Sequence, residues 1–289
     1  MPATLSLLRE YWDEKGRQRA VSLWSMGTWG GTSFAALVGG AMADNLGWRW
    51  IFIVSCVLSV LGLFLIRDLP ESKAEQKGKT RFDYLGMLLF MLFIVALQLF
   101  VSKGSEWGWG STKSLILAGI SIVFLILFII FELKKKEGPF IDFSLFRNKT
   151  FTGATVSNLI LNSTSGVLIV TLMLMQQGGG ISADTTGYLT LGYGVVILLF
   201  IRVGERLLRK YGPRKPMIWG CLILLLSIAC MLPTNIMTST YMVLMAIGYI
   251  FFGLGLAFYA TPSTDAALSN LPLSQTAAGS GIYKMASSL

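Results

Sequence analysis

Eight stretches of the chain are almost wholly apolar over about twenty residues each, and that length decides what it can fold into. They cover roughly 20–42, 48–66, 84–101, 114–131, 151–175, 186–204, 217–233 and 241–261, with short polar connections between them. An α-helix rises ~1.5 Å per residue, so ~20 apolar residues match a hydrocarbon layer ~30 Å thick. Hydrocarbon offers no partner to a peptide group, which leaves helices or closed barrels as spanning structures. Barrel strands are ~10 residues long and alternate in polarity; these runs do neither. The pattern predicts an all-α membrane protein with about eight full transmembrane helices. The 54% hydrophobic and 13% charged residues fit that reading, since a soluble domain carries about 25% charged residues.

The formal net charge is +9, and its placement argues against nucleic acid as a partner. Basic side chains cluster at Arg9, Lys15, Arg17 and Arg19, at Arg67, Lys73, Lys77, Lys79 and Arg81, at 134–136 with Arg147 and Lys149, and at six positions from Arg202 to Lys215. The intervening loops hold Arg49, Lys103 and Lys113 only. Clusters at every second loop are what the positive-inside rule requires of a chain threaded back and forth through a bilayer. The N-terminal end and the loops 67–81, 133–150 and 205–216 are therefore expected to be cytoplasmic. Loop 262–275 has no basic residue and receives the same side from the count of spans.

The ends read as interruptions. Residues 1–8 look like the last turns of an apolar helix, and 276–289 like the first turns of another. They also resemble each other: Pro2, Thr4 and Leu8 match Pro262, Thr264 and Leu268, and Gln18 and Ala20 match Gln275 and Ala277 after one gap. Many transporters are built from two repeated halves. Equivalent points eight spans apart imply two extra helices between halves, hence a 14-span parent of which this chain is a part. The expected organisation is a helix end and loop at 1–19, the last two helices of a first half at 20–66, a linker at 67–83, two inter-half helices at 84–132, a loop at 133–150, and the beginning of a second half at 151–289.

Gly27, Gly31, Ala35, Gly39 and Ala43 recur every four residues, and Gly40 adjoins them. Small residues on one helix face let a neighbouring helix approach closely. Such a face is either ordinary tight packing or a seam that slides during alternating access. Gly27 through Phe52, with Val-Gly-Gly at 38–40 and Gly-Trp-Arg-Trp-Ile-Phe at 47–52, resembles the antiporter motif of the major facilitator superfamily, although Ala35-Ala36 stand where that motif carries Gly-Pro. The chain is similar throughout to the 14-span drug:proton antiporters of that superfamily, and among them to quinolone exporters; Pro139-Phe140-Ile141-Asp142-Phe143 to Phe146-Arg147-Asn148 is like their loop before the second half. Residues 205–216 resemble a degenerate second copy of the superfamily's motif A, in which Gly212, Arg214 and Lys215 fit and Arg209 replaces an acidic residue. A solvated cytoplasmic turn accounts for the same residues.

The resemblance implies the major facilitator fold, incomplete here, in a bacterial plasma membrane. It implies proton-coupled efflux of small amphipathic drugs, with the proton as coupling ion and no cofactor, and the missing remainder of the transporter and the lipid bilayer as partners. A transporter for a specific metabolite or ion is the alternative. Nothing suggests an enzyme. There is no histidine, and Cys56, Cys221 and Cys230 lie inside apolar runs without metal-ligand spacing. The carboxylates Asp83, Glu132, Asp142, Glu205 and Asp265 all fall at or beyond helix ends, so proton-coupling groups are expected in spans outside this sequence and the chain is not expected to pump alone. On 151–175, Thr155, Asn158, Asn162 and Ser165 share one helix face. They either bond to neighbouring helices or line a substrate cavity. Tyr188, Tyr193, Tyr283, Trp24 and Trp29 are candidates to stack on a flat drug, and core or lipid contact is the plainer reading of each. Trp48, Trp50, Trp107 and Trp109 read as interfacial anchors. Arg202 and Glu205 are spaced to pair.

Overall fold

The computed structural model describes residues 2–31, 35, 38–39, 42, 46–67, 83–135, 138, 140–235, 238–272 and 275–288. Every regular element among them is helical: α1 (Pro2–Tyr11), α2 (Glu14–Ser25) continued by a π turn at Met26–Gly30, α3 (Arg49–Ile66), α4 (Tyr84–Trp107), α5 (Thr112–Lys134), a short 3-10 turn (Phe143–Arg147), α6 (Lys149–Thr164), α7 (Gly166–Met173) with a second π turn (Leu174–Gly178), α8 (Ala183–Tyr211), α9 (Arg214–Met231), α10 (Thr238–Ser269) and α11 (Thr276–Ser288). Seven described segments are long and apolar enough to span a membrane: α3, α4, α5, the run Lys149–Gly178, and most or all of α8, α9 and α10. The eighth expected span, 20–42, falls partly outside the described residues.

The loops start these helices chemically. The side chains of Asp13, Asp83, Ser111, Asn148 and Ser182 each accept a hydrogen bond from a backbone N–H in the first turn that follows, which satisfies donors that the helix cannot. Glycines at φ +84° and +73°, Gly108 and Gly212, close α4 and α8; a β-carbon is strained there. Helices overrun the apolar windows. The run 241–261 continues through Pro262 to Ser269, so most of the expected loop 262–275 is helix. Between α6 and α7 the chain breaks at Ser165, where the side chains of Ser163, Thr164 and Ser165 bond back to carbonyls of their own helix. Such back-bonding competes with the helical ladder and bends it.

Two compact units result, residues 72–147 and the combination of 1–71 with 148–289. The smaller is the antiparallel α4–α5 hairpin with the loop that follows it. Phe90 packs on Phe128 and Phe140 at centroid distances of 5.3 and 5.7 Å, and Leu145 and Ile141 of the loop are buried. In the larger unit α10 is the central helix, sandwiched between α8 and α9 and touching α6 and α2. Its glycines make that possible. A Cβ on Gly253 would lie 2.6 Å from the Tyr193 carbonyl oxygen on α8, and one on Gly255 2.6 Å from Leu224 Cγ on α9. The core there comprises Ile197, Ile201, Leu224, Phe252, Leu256 and Tyr259, among others. Apolar side chains elsewhere face outward, as on α3, where no residue is buried.

Candidate functional site

One end of the larger unit brings together basic residues from three parts of the sequence, Arg17, Lys149 and Arg214. Arg17 Nε of α2 donates to Asp265 Oδ1 of α10 at 3.3 Å, and Asn148 Nδ2 donates to the Asn270 carbonyl at 2.9 Å. The 262–275 region, which the span count alone assigned to the basic side, therefore lies with residues 17 and 148.

From that end a polar spine enters the bundle between α6, α10 and α11. Ser157 Oγ and Tyr259 OH are 2.6 Å apart. Asn158 Nδ2 donates to the Tyr283 carbonyl at 3.1 Å. Tyr283 OH donates to Ser263 Oγ at 2.9 Å. Asn162 Nδ2 donates back to Asn158 Oδ1 at 2.9 Å, and Ser165 Oγ to the Asn162 carbonyl. The structure thus joins Asn158, Asn162, Ser165 and Tyr283 in one network, with Asn158 and Tyr283 buried and serving helix–helix contact. Tyr193 is apart: its ring packs on Phe252 at 5.9 Å, inside the α8–α10 core. Tyr188 is 70% exposed. The buried hydroxyl of Thr155 has no hydrogen-bond partner among the described residues.

Lys284 is a further charged group in this region, outside the sequence-based candidates. It lies eight residues into α11, roughly 12 Å along the axis, with Nζ 4.3 Å from the Trp24 ring centroid. Trp24 Nε1 in turn donates to Thr4 Oγ1 at 3.1 Å. The signal was available: Lys284 is a single basic residue inside a run of small and apolar ones, outside every loop cluster, and a charge at membrane depth is a functional candidate by default.

The four-residue glycine face meets no neighbour among the described residues. Gly27 and Gly31 are exposed, Ala35 is exposed and Gly39 half-buried, and a Cβ on Gly27, Gly31 or Gly39 would meet no described atom within 4 Å. Gly40 lies outside the described residues. The close contact from this helix is made by Gly30, buried against Leu198 of α8, on the π turn that shifts the helical register. Trp29 packs on the same core.

In the 205–216 stretch, Gly212 turns the chain at φ +73° and caps α8, Arg214 and Lys215 begin α9, and Lys210 and Lys215 sit 5.1 and 5.4 Å from the Tyr211 ring centroid. Glu205 pairs with Arg209 at 2.6 Å, not with Arg202. Four residues is the better helical spacing for such a pair.

In the hairpin unit, two acids that the sequence placed only "at helix ends" are buried side by side. A Cβ on Gly86 would lie 2.5 Å from Asp83 Oδ2 and closer still to Glu132 Oε1, so this glycine leaves room for both. Glu132 Oε1 accepts from the Phe140 N–H at 3.1 Å, and Lys135 Nζ lies 2.9 Å from Asp83 Oδ2. Burial raises the Asp83 carboxyl, but the Gly86 N–H and the Lys135 ammonium outweigh it and hold the group below its usual 3.8. Among the described residues no group of three metal-ligating side chains occurs.

The all-helical architecture, with seven described segments long and apolar enough to cross a bilayer and the α6–α7 run interrupted at Ser165, defines a multi-pass membrane protein. The Major Facilitator Superfamily model matches residues 1–289, and the chain belongs to that family. It is similar to the quinolone resistance protein NorB of Staphylococcus aureus strains MRSA252 and MSSA476, 45% identical to each over 289 residues. The match covers 100% of this chain and 62% of those relatives.

Proposed function

We propose that this chain forms the substrate-facing middle and second-half portion of a proton-coupled multidrug efflux antiporter. Its basic end is cytoplasmic, and small amphipathic drugs are its cargo. The observation that carries the reading is the 45% identity to quinolone resistance proteins along the full chain. The polar spine supports it, because a network running from Ser157 to Ser165 through an otherwise apolar helix gives orienting groups beside apolar walls. Cation–π contact between Lys284 and Trp24 places an aromatic face and a charge where the first helices meet α11.

Lys284 also favours a second reading, a transporter for an anionic metabolite, since a cation at membrane depth selects a negative group. A chimera separates the two. These 289 residues replace the matching segment of the S. aureus quinolone resistance protein, and efflux of norfloxacin and ethidium is followed in inverted vesicles. Proton-dependent export of both supports the drug reading. Failure of both in a chimera that inserts normally overturns it. Export that survives for carboxylate compounds only and vanishes with Lys284→Gln supports the anion reading.

A further inference from the structure

At the basic end a cavity of about 600 Å³ opens between the first turns of α6 and α9. Lys149 and Arg214, each the exposed first residue of its helix, line it together with Gly153, Met217, Cys221 and Ala266. Beyond these two cations the lining is mostly apolar; Ser157 also lines it, with its hydroxyl engaged by Tyr259. Cys221 lies seven residues past Arg214, so the cavity reaches roughly 10 Å into the apolar layer. A Cβ on Gly153 would meet no described atom within 4 Å, so the wall is open there. On α9 the adjoining Ile218 and Leu222 are about half exposed, which opens the cavity sideways to lipid.

Its charge is unbalanced. Lys149 and Arg214 are exposed, and among the described residues neither pairs with a carboxylate. Within the larger unit, Asp265, next to Ala266, pairs with Arg17, and Glu205, on the helix that precedes Arg214, pairs with Arg209. Lys210 and Lys215, on the same turn as Arg214, add to the positive potential.

We propose that this cavity binds one anionic diacyl phospholipid from the adjacent leaflet, its phosphate between Lys149 and Arg214 and part of one acyl chain against Met217 and Cys221. Two cations above an apolar slot fit a group that is anionic at one end and hydrocarbon at the other. A free phosphate leaves the slot empty. A zwitterionic headgroup brings an ammonium beside four basic side chains. The inference needs only the membrane location of the chain and stands or falls apart from any efflux activity.

The thiol of Cys221 is exposed and reports on the cavity directly. The chain with Cys56→Ser and Cys230→Ser is purified in neutral detergent and alkylated with N-ethylmaleimide while phosphatidylglycerol, phosphatidylcholine or glycerol 3-phosphate is added, and retained lipid is counted by native mass spectrometry. At about 1 kcal/mol per basic residue, two cations give phosphatidylglycerol roughly a 25-fold preference over phosphatidylcholine. It should slow alkylation and be retained as one molecule per chain, and glycerol 3-phosphate should do neither. Lys149→Gln with Arg214→Gln removes the preference, Gly153→Leu fills the slot and lowers retention, and Lys103→Gln changes nothing. Equal protection by phosphatidylcholine, an unaltered double variant, or a Cys221 shielded without any lipid by a second copy of the chain overturns the proposal.

Discussion

Arg17 and Asp265 stand 3.3 Å apart with side-chain exposures of 13% and 7%, tying the first turn of α2 to the last turns of α10. One residue belongs to the first-half side of the expected organisation and the other to the second. Removing one member of a buried pair strands the other, at ~3–5 kcal/mol when burial is complete. Slight hydration here brings the expected cost of Arg17→Gln or Asp265→Asn to about 2–3 kcal/mol. Replacing both together should cost less than the sum by at least ~1 kcal/mol, the coupling typical of contacting residues. Thermal unfolding of the four proteins in detergent measures it, and strict additivity would remove the tie.

Glycines in this chain fall into two classes that substitution should separate. Gly253→Leu drives a side chain into the Tyr193 backbone, which cannot withdraw without parting α8 from α10. Overpacking of this kind costs typically ~1–3 kcal/mol and more when backbone must move. Gly27→Ala meets no described atom and should change stability by less than about 0.5 kcal/mol. A Gly27→Ala protein that unfolds as readily as Gly253→Leu would restore the packed seam to the first face.

The fate of those glycines shows how far the sequence could be read. Helices were legible because length and polarity answer to one solvent, and loop chemistry marked their starts, as at Asn148 before Lys149. The overall architecture follows from that alone. Which face of a helix meets which neighbour does not, because in lipid both faces are apolar. The four-residue spacing at Gly27 and Gly31 therefore identifies a smooth face without identifying its partner, and among the described residues the close approach from this helix is at Gly30. Polar groups were legible as a face, Asn158 to Ser165, but their partners were not: the acceptor for Asn158 is the backbone of Tyr283, which carries no sequence signal. Lys284 shows in the sequence as a lone cation among small and apolar residues, but its neighbour, the Trp24 ring 260 residues away, carries no sequence signal.

Asn158 and Asn162 lie on one face yet hold different partners. Asn158 donates across to α11, whereas among the described residues Asn162 bonds within its own helix. Asn158→Leu should therefore loosen α11 and cost about 0.6–1.7 kcal/mol, the range for interhelical hydrogen bonds in a membrane bundle. Asn162→Leu should cost less. Proteolysis at the α10–α11 connection reads the difference: accelerated cleavage in the Asn158 variant alone is expected, and equal rates in both would detach Asn158 from α11.

The Asp83 cluster supplies a pH signature. Its folded carboxyl is held below 3.8, so the ionised form is the one that the fold favours. A depressed carboxyl contributes stability that is complete above the unfolded value and lost as pH falls through the folded one. Asp83→Asn keeps a side-chain oxygen for the Gly86 N–H but removes the charge facing Lys135. The variant should be less stable than the wild type at pH 7, and the gap should close progressively below about pH 3.8 as the wild-type carboxyl takes up its proton. Lys135→Gln should narrow the same gap at pH 7, because it removes the cation that Asp83 answers. Thermal unfolding of the three proteins between pH 3 and 7 tests the assignment. A gap between Asp83→Asn and wild type that is independent of pH would mean that the substitution acts through the helix cap or through packing around Gly86 instead of through the charge.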